Sequence, residues 1–395
     1  MNKLSLHDIE IQGKKVLMRV DFNVPLNEDG SISDDTRIVL ALPSIQYILA
    51  QGGRLILMSH FGRPKGRVDP ELSLKPCAKQ LSILLEKEVQ FAPDCVGTVA
   101  QDMVENLKSG EVLLLENLRF HDGEEHPEKD PEFSKSLAKL GDVYVDDAFG
   151  AAHRSHGSTV TITKYFEKKC IMGFLMEREV SYLSKLVLTP KRPFYAIIGG
   201  AKIGSKIGVF NALGKKVDAI FIGGGMAFTF FKAIGISIGD SICDDEKLED
   251  AKHFLKECEK LAIQVHLPVD IVITNDVETQ MINIKEGIPE GWKGMDVGPQ
   301  TVEVWSEDLK KGATIFWNGP MGVFEESVFS HGTNRLAQNL SMMSGEVIVG
   351  GGDSIAAINT LHLQNSFAHL SSGGGASLEF IEKGTLPGIE VLTNK

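Results

Sequence analysis

Short apolar runs punctuate the chain, and each one ends in a polar or glycine-rich loop. In the first half KVLMRV leads into DFNVP, RLILM into SHFGRP, VLLL into ENLRF, and VYV into DDAFGAAHRSHG. In the second half FYAII leads into GGAKIGSK, AIFI into GGGMAF, VDIVI into TNDV, TIFW into NGPMGVFE, and EVIV into GGGDS. Runs of about four to six residues rich in Val, Ile and Leu suit buried parallel strands. Helical stretches such as ALPSIQYILAQGG and KLEDAKHFLKECEKLA lie between them. The alternation predicts an α/β protein built as two open, Rossmann-like parallel-sheet domains. In such sheets ligands bind outside the carboxyl ends of the strands, where these loops fall.

Between the halves lies FLMEREVSYLSKLVLTP, in which Met176, Val180, Leu183 and Val187 recur at helical spacing and Pro190 ends the pattern. The spacing predicts a helix of about 14 residues, roughly 21 Å long. A helix this short can be an ordinary packing element, but its place between two complete α/β patterns marks it as an inter-domain connector. The expected division is an N-terminal domain over 1–172, a connecting helix and hinge over 173–190, and a C-terminal domain over 191–381, with a cleft between the domains. No short-period repeat or low-complexity tract interrupts this plan.

Composition narrows the class of protein. The chain has 395 residues, 43% of them apolar, 24% charged, with 40 Gly and 15 Pro. That is an ordinary globular composition, sufficient for about two to three domains. No apolar run approaches the roughly 18 residues of a membrane span, and the N-terminal MNKLSLHDIEIQGKK has no signal-peptide core. The five cysteines (Cys77, Cys95, Cys170, Cys243, Cys258) are scattered without CxxC spacing. They predict neither a disulfide scaffold nor a zinc ribbon, and they fit a reducing cytoplasm. A net charge of −12 disfavours general binding to nucleic acid or acidic membrane.

Charge becomes more telling by position. Eight of the ten arginines (Arg19, Arg37, Arg54, Arg63, Arg67, Arg119, Arg154, Arg178) fall in the first half. Counts alone fit a solvated surface as well as an anion site. Arg37, Arg63, Arg119 and Arg154, however, lie in or close after strand-end loops, together with His60, His153 and His156. Converging guanidinium forks would make a pocket for a small, highly anionic substrate. Two histidines three apart in HRSH, with no clear third ligand, make a poor metal site, and HDGEEHPEKDPE resembles a solvated charged loop. Trp292, Trp305 and Trp317 read as packing residues.

The familiar nucleotide signatures GxxxxGK[ST] and GxGxxG are both absent, as is HExxH. A P-loop ATPase and a standard dinucleotide dehydrogenase both lose ground. GGAKIGSK nevertheless follows a buried strand and is expected to open a helix, with Lys202 and Lys206 on one helical face beside backbone N–H groups suited to an anion. GGGDS repeats the design, with Asp353 placed to cap a helix or to hold Mg²⁺. Each glycine cluster alone reads more readily as a tight turn than as a ligand loop. Two at strand ends of one sheet point to a nucleotide.

Seven motifs occur in a fixed order: RVDFNVP (19–25), SHFGRP (59–64), ENLRF (116–120), HRSHGS (153–158), GGAKIGSK (199–206), NGPMGVFE (318–325) and GGGDS (350–354). In them, across essentially its whole length, the chain closely resembles the phosphoglycerate kinase family, whose members exchange a phosphoryl group between 1,3-bisphosphoglycerate and ADP in glycolysis. Departures are small: the family's second motif more often reads SHLGRP, and IEKGTLPG often begins IEGK. Neither touches a functional group.

The resemblance implies that the N-terminal half holds phosphoglycerate through Asp21, Asn23, Arg37, His60, Phe61, Gly62, Arg63, Arg119 and Arg154. It implies that the C-terminal half holds ADP or ATP through Lys202, Lys206, Gly294, Asn318, Glu325, Gly351, Gly352, Asp353 and Ser354. Asp353 would lie near Mg²⁺, and Arg37 and Lys202 would act at the transferring phosphoryl. It also implies that the C-terminal segment 382–395 returns to the N-terminal domain, and that the protein is a monomer. Phosphoryl transfer from an acyl phosphate needs alignment and charge neutralisation rather than a strong nucleophile, so direct in-line transfer on domain closure is expected. A catalytically inactive anion or nucleotide binder on the same scaffold is the rival reading, against which intact Arg37, Lys202 and Asp353 speak.

Overall fold

A computed structural model of the chain describes residues 2–204, 206–214 and 216–395. It divides into two compact units, one made by residues up to Ser181 together with Thr385–Lys395, the other by Tyr182–Gly384.

The first unit carries strands β1 (Lys15–Arg19), β2 (Arg54–Met58), β3 (Val89–Phe91), β4 (Val112–Leu114), β5 (Val143–Asp146) and β6 (Cys170–Met172). They form one sheet in the order β3-β4-β2-β1-β5-β6, and every pairing is parallel. Helices α1 (Thr36–Ala50), α2 (Lys75–Leu85), α3 (Thr98–Asn106), α4 (Asp122–Glu125) and α5 (Pro131–Ala138) connect them. Val16, Leu17 and Met18 of β1 and Leu55, Ile56, Leu57 and Met58 of β2 are fully buried. Burial of both strand faces explains their unbroken apolar runs, and each such side chain contributes about 1.5–3 kcal/mol. From β1 the chain passes to β2, out to the edge strand β3, back to β4 between them, and then to β5 on the other side of β1. The strand order therefore reverses between β1 and β5, the place where such sheets bind ligands.

Helix α6 (Phe174–Leu188) crosses the division between the units. Met176, Val180, Leu183 and Val187 are all buried, so the predicted stripe is the packed face. The last residues belong to the first unit through main-chain hydrogen bonds: Leu4 N–H donates to Thr393 O, and Thr393 N–H to Cys170 O, both at 2.9 Å.

The second unit repeats the plan. Strands β7 (Phe194–Ile198), β8 (Ala219–Ile222), β9 (Gln264–His266), β10 (Asp270–Thr274), β11 (Thr279–Asn283), β12 (Lys293–Val297), β13 (Thr314–Asn318), β14 (Glu346–Gly350) and β15 (His369–Leu370) alternate with helices. The helices are α7 (Ile207–Leu213), α8 (Met226–Ala233), α9 (Leu248–Lys260), α10 (Pro299–Leu309), α11 (His331–Ser341), α12 (Gly352–Thr360) and α13 (Gly375–Lys383). The main sheet runs β15-β14-β13-β7-β8-β9, again wholly parallel, with its reversal between β7 and β13.

One strand departs from the sequence expectation. VDIVI does not join the parallel sheet; it is the centre of a separate antiparallel sheet ordered β11-β10-β12. Residues 275–278 are too few for a crossover, which takes about a dozen residues or more, so β11 can only fold straight back on β10.

Candidate functional site

In the first unit, the loops after β1, β2 and β4 bring the predicted groups together. Arg37, in the first turn of α1, donates from Nη1 to Asp21 Oδ2 at 2.7 Å. Behind this pair lies a buried layer. Arg19, 1% exposed, donates from Nε to Ser158 Oγ at 2.9 Å and also to the Val20 carbonyl, while its Nη2 lies 3.1 Å from His60 Nδ1. A guanidinium can only donate, so His60 Nδ1 accepts and Nε2 carries the ring proton. Burial, followed by the charges of Arg19, Arg119 and Arg37, holds the His60 pKa well below the usual histidine value. His60 is thus a neutral donor fixed in one tautomer.

The SHFGRP loop is held from both sides. Asn23 Oδ1 accepts from Gly62 N–H at 2.9 Å, and Asn117 Oδ1 accepts from Phe61 N–H at 3.0 Å. Asn117 Nδ2 donates to Phe61 O and Leu72 O. Arg119 donates from Nη1 to Gly62 O at 2.7 Å, and its Nε lies 3.1 Å from Glu125. Arg63 and Arg154 are exposed. Arg154 lies close enough to Arg119 and His156 to lower both pKa values. His156 is pushed down to about 3, by burial first and then by Arg119, Arg19 and Arg154. Arg19, Arg37, Arg119 and Arg154 therefore share one positive field, flanked by two neutral histidines. Arg63 follows this loop and stands exposed beside the cluster's leading strand-end segment.

Sequence reasoning gave the tract at 121–132 no chemistry, and it holds the counter-ion of the cluster. Glu124 is fully buried in α4, accepts from Ser158 N–H and Oγ–H at 2.9 and 2.7 Å, and lies 3.7 Å from Arg19. A charge pattern read locally cannot reveal a partner 105 positions away.

In the second unit, the loops after β7 and β13 meet at the strand-order reversal. Gly319 has φ +95°, and a Cβ there would lie 2.3 Å from Gly199 O, so only glycine lets the two backbones pass. Lys206 lies across them, donating to Gly199 O at 2.6 Å, Asn318 Oδ1 at 2.7 Å and Asn318 O at 3.2 Å. Burial lowers its pKa from 10.5 to about 8, partly offset by Asp353. The expected shared helical face of Lys202 and Lys206 is not formed. Helix α7 begins only at Ile207, because the glycine-rich stretch before it runs as turns, with Gly200 at φ +101°. Lys202 is exposed in that stretch, and Ser205 of the same motif lies outside the described residues.

Lys202, Lys206, Asn318, Gly351, Gly352 and Asp353 line a cavity of about 370 Å³. Ser354 Oγ, at its edge, accepts from Gly319 N–H at 2.8 Å and ties α12 to the loop after β13. Asp353 is in the first turn of α12 and makes no capping bond, so the alternative role of plain cap is not realised. A second cavity of about 520 Å³ is lined by Gly294, Glu325, Phe228, Met321, Val323 and Asp296, among others, and shares Asp353, Gly200, Ala201 and Pro320 with the first. A smaller space reached by two lysines and Asp353 thus adjoins a larger, more apolar one. Gly374 and Gly375 also line the smaller cavity at the start of α13, and neither α12 nor α13 is capped by a side chain. Their first-turn N–H groups are available to an anion. The SGGGAS run that opens α13 escaped notice because the strand before it, β15, is only two residues long.

The comparisons with known proteins agree over nearly the whole chain. A family model described as phosphoglycerate kinase matches residues 6–384. A phosphoglycerate kinase of Thermosipho africanus is 49% identical over 402 aligned residues, covering 100% of this chain and 99% of the relative. One from Chlorobium phaeobacteroides is 50% identical and covers 100% of both. Among solved structures, phosphoglycerate kinase from Coxiella burnetii superposes with TM-score 0.88 at 37% identity over 99% of each chain, and that from Pyrococcus horikoshii with 0.86 at 32% over 98% of each.

Proposed function

The chain belongs to the phosphoglycerate kinase family, and we propose that its two units divide the two substrates of that reaction between them. The reaction is reversible phosphoryl transfer between 1,3-bisphosphoglycerate and ADP, giving 3-phosphoglycerate and ATP. The observation that carries the division is where the anion-binding groups stand: four arginines around His60 and His156 in one unit, two lysines beside uncapped helix starts in the other.

In the first unit Arg37, Arg63, Arg119 and Arg154 bind the phosphoglycerate anion, Asp21 accepts from its hydroxyl, and His60 donates from Nε2. Asn23, Phe61 and Gly62 shape the loop that presents these groups. In the second, Lys206, Asn318, Gly351, Gly352 and Ser354 hold the phosphates in the smaller cavity. Gly294 and Glu325 line the larger one, which takes the nucleoside. Asp353 offers a hard carboxylate oxygen to the same cavity, and that donor fits Mg²⁺. Bound there, the ion would neutralise phosphate charge. Arg37 and Lys202 act at the transferring group.

The acceptor is an ionised ADP oxygen and the donor an acyl phosphate, so no general base and no phospho-enzyme are required. What the protein supplies is alignment to about 3–3.5 Å and positive charge at the equatorial oxygens. That calls for the two ligands to be presented to each other, and we infer direct in-line transfer on closure. We also infer a monomer working in the cytoplasm. The five cysteines are free thiols, and no helix among the described residues is long and apolar enough to cross a membrane. A coupled assay supplying 3-phosphoglycerate, ATP and Mg²⁺, with NADH oxidation as readout, tests the whole reading. Turnover that needs all three supports it; binding of both ligands without turnover overturns it.

A further inference from the structure

The structure assigns a soft-metal site to the first unit, outside the substrate groups: Asp94, Cys95 and His121, which we propose bind a thiophilic divalent cation of the zinc class. The loop after β3 supplies Asp94 and Cys95, and the chain leaving the loop after β4 supplies His121. One ligand atom from each lies within 4.8 Å of the other two. Tetrahedral bonds of about 2.0–2.3 Å set ligand atoms about 3.5 Å apart, so side-chain adjustment of about 1 Å completes the set. His121 Nε2 already lies 2.7 Å from Asp94 Oδ1, and its ring stacks on Phe133 with centroids 5.3 Å apart. The ring nitrogen that would ligate is therefore oriented in advance.

Burial and charge give the site its character. Cys95 is fully buried, whereas the His121 and Asp94 side chains are 31% and 49% exposed. The sulfur forms the floor, and solvent supplies an entry path and a fourth ligand. The carboxylates of Asp94, Glu124 and Glu116 all act on the Cys95 sulfur, and negative charge of that kind favours a cation beside it. Binding forms the metal–sulfur bond as the thiol proton leaves to buffer, and the His121 proton moves to Nδ1 so that Nε2 can donate its lone pair. A thiolate, an imidazole and a carboxylate select Zn²⁺ or Cd²⁺ over Mg²⁺, which prefers oxygen and water. The Mg²⁺ used in catalysis therefore does not compete.

Cd²⁺ titrated into the full, EDTA-treated chain in the presence of excess Mg²⁺ reads the site directly, through the ultraviolet thiolate-to-cadmium charge-transfer band. The expected result is a band that saturates at one Cd²⁺ per chain, releases about one proton per metal and is displaced by Zn²⁺. Cys95→Ser should abolish it. Cys243→Ser, which removes the only part-exposed thiol, should leave it intact. His121→Gln should weaken binding at least about tenfold, the loss attached even to an outer partner of a metal ligand. His121→Gln carries the test where Cys95→Ser does not fold. No band, a band that survives Cys95→Ser, or unchanged affinity in His121→Gln overturns the proposal.

Discussion

Nucleotide binding near pH 8 should draw a proton from solvent onto Lys206. Burial holds this amine at a pKa of about 8 in the free protein, against 10.5 for an exposed lysine, with Asp353 pulling weakly the other way. The difference corresponds to about 3 kcal/mol between the two protonation states. The sign is unusual for a lysine. Between about pH 8 and 10.5 the unfolded chain holds more protons than the folded one, so this residue's contribution to stability rises with pH across that window. A phosphate in the 370 Å³ cavity reverses the balance by placing negative charge beside Nζ. At pH 8 about half the free protein carries a charged Lys206, so binding takes up about half a proton; at pH 7 the figure is about a tenth, and at pH 9 about nine tenths. Titration calorimetry of Mg·ADP in buffers of different ionisation enthalpy gives the uptake as a slope, and Lys206→Met supplies the control. Uptake that stays flat from pH 7 to 9, or that survives in Lys206→Met, would refute the assignment of Lys206 to the phosphates.

Other consequences are more direct. Arg37→Ala should lower kcat by roughly 10³–10⁵ with a comparatively small change in KM for phosphoglycerate, the signature of charge supplied at the transition state; a kcat within about tenfold of the parent would leave Arg37 a binding residue only. Glu124→Gln should destabilise the protein by about 3–5 kcal/mol, since it strands a buried Arg19. In denaturant unfolding, a loss below about 1 kcal/mol would show that Arg19 is balanced elsewhere, with buried Asp146 the candidate. Gly294→Ala would put a Cβ 2.1 Å from the Phe228 ring, so stability should fall by about 1–3 kcal/mol and KM for nucleotide should rise while that for phosphoglycerate holds; unchanged nucleotide KM would remove Gly294 from the site.

The nine apolar runs visible in the sequence all became strands, because a strand buried on both faces leaves no room for polar residues and so writes itself plainly. Six strands were missed. Of these, β3, β6, β9 and β15 are two or three residues long at sheet edges, too short to make a pattern. The other two, β11 and β12, are five residues long but largely unburied, so they carry no apolar run. The direction of VDIVI was legible only in the four residues after it. In the site, the arginines could be found one by one from their loops. Arg19 could not be told from its neighbours, although it is the one that is buried, since burial depends on Glu124 and Ser158 arriving from elsewhere in the fold. The spacing of Lys202 and Lys206 misled for a related reason. A four-residue interval implies one face only inside a helix, and glycines delay the start of α7 past both.

In the proposed division the two units would meet anions at the same topological place with different chemistry, and the difference bears on pH. The first relies on guanidinium groups, which stay charged at any accessible pH. Its two histidines are already neutral near pH 7, His156 with a pKa of about 3 and His60 well below the ordinary value. Neither His60 nor His156, on the proposed phosphoglycerate side, is left to change charge above neutrality. The second unit relies on uncapped helix starts, which do not titrate, and on Lys206, which does, at about 8. As pH rises past that value the free protein must pay a growing protonation penalty to bind phosphate, about tenfold in affinity for each further pH unit. KM for ADP should accordingly climb between pH 8 and 9.5 while KM for phosphoglycerate stays level, in steady-state kinetics at fixed ionic strength. A parallel rise in both would place the titrating group in the first unit and contradict the division of substrates between the two.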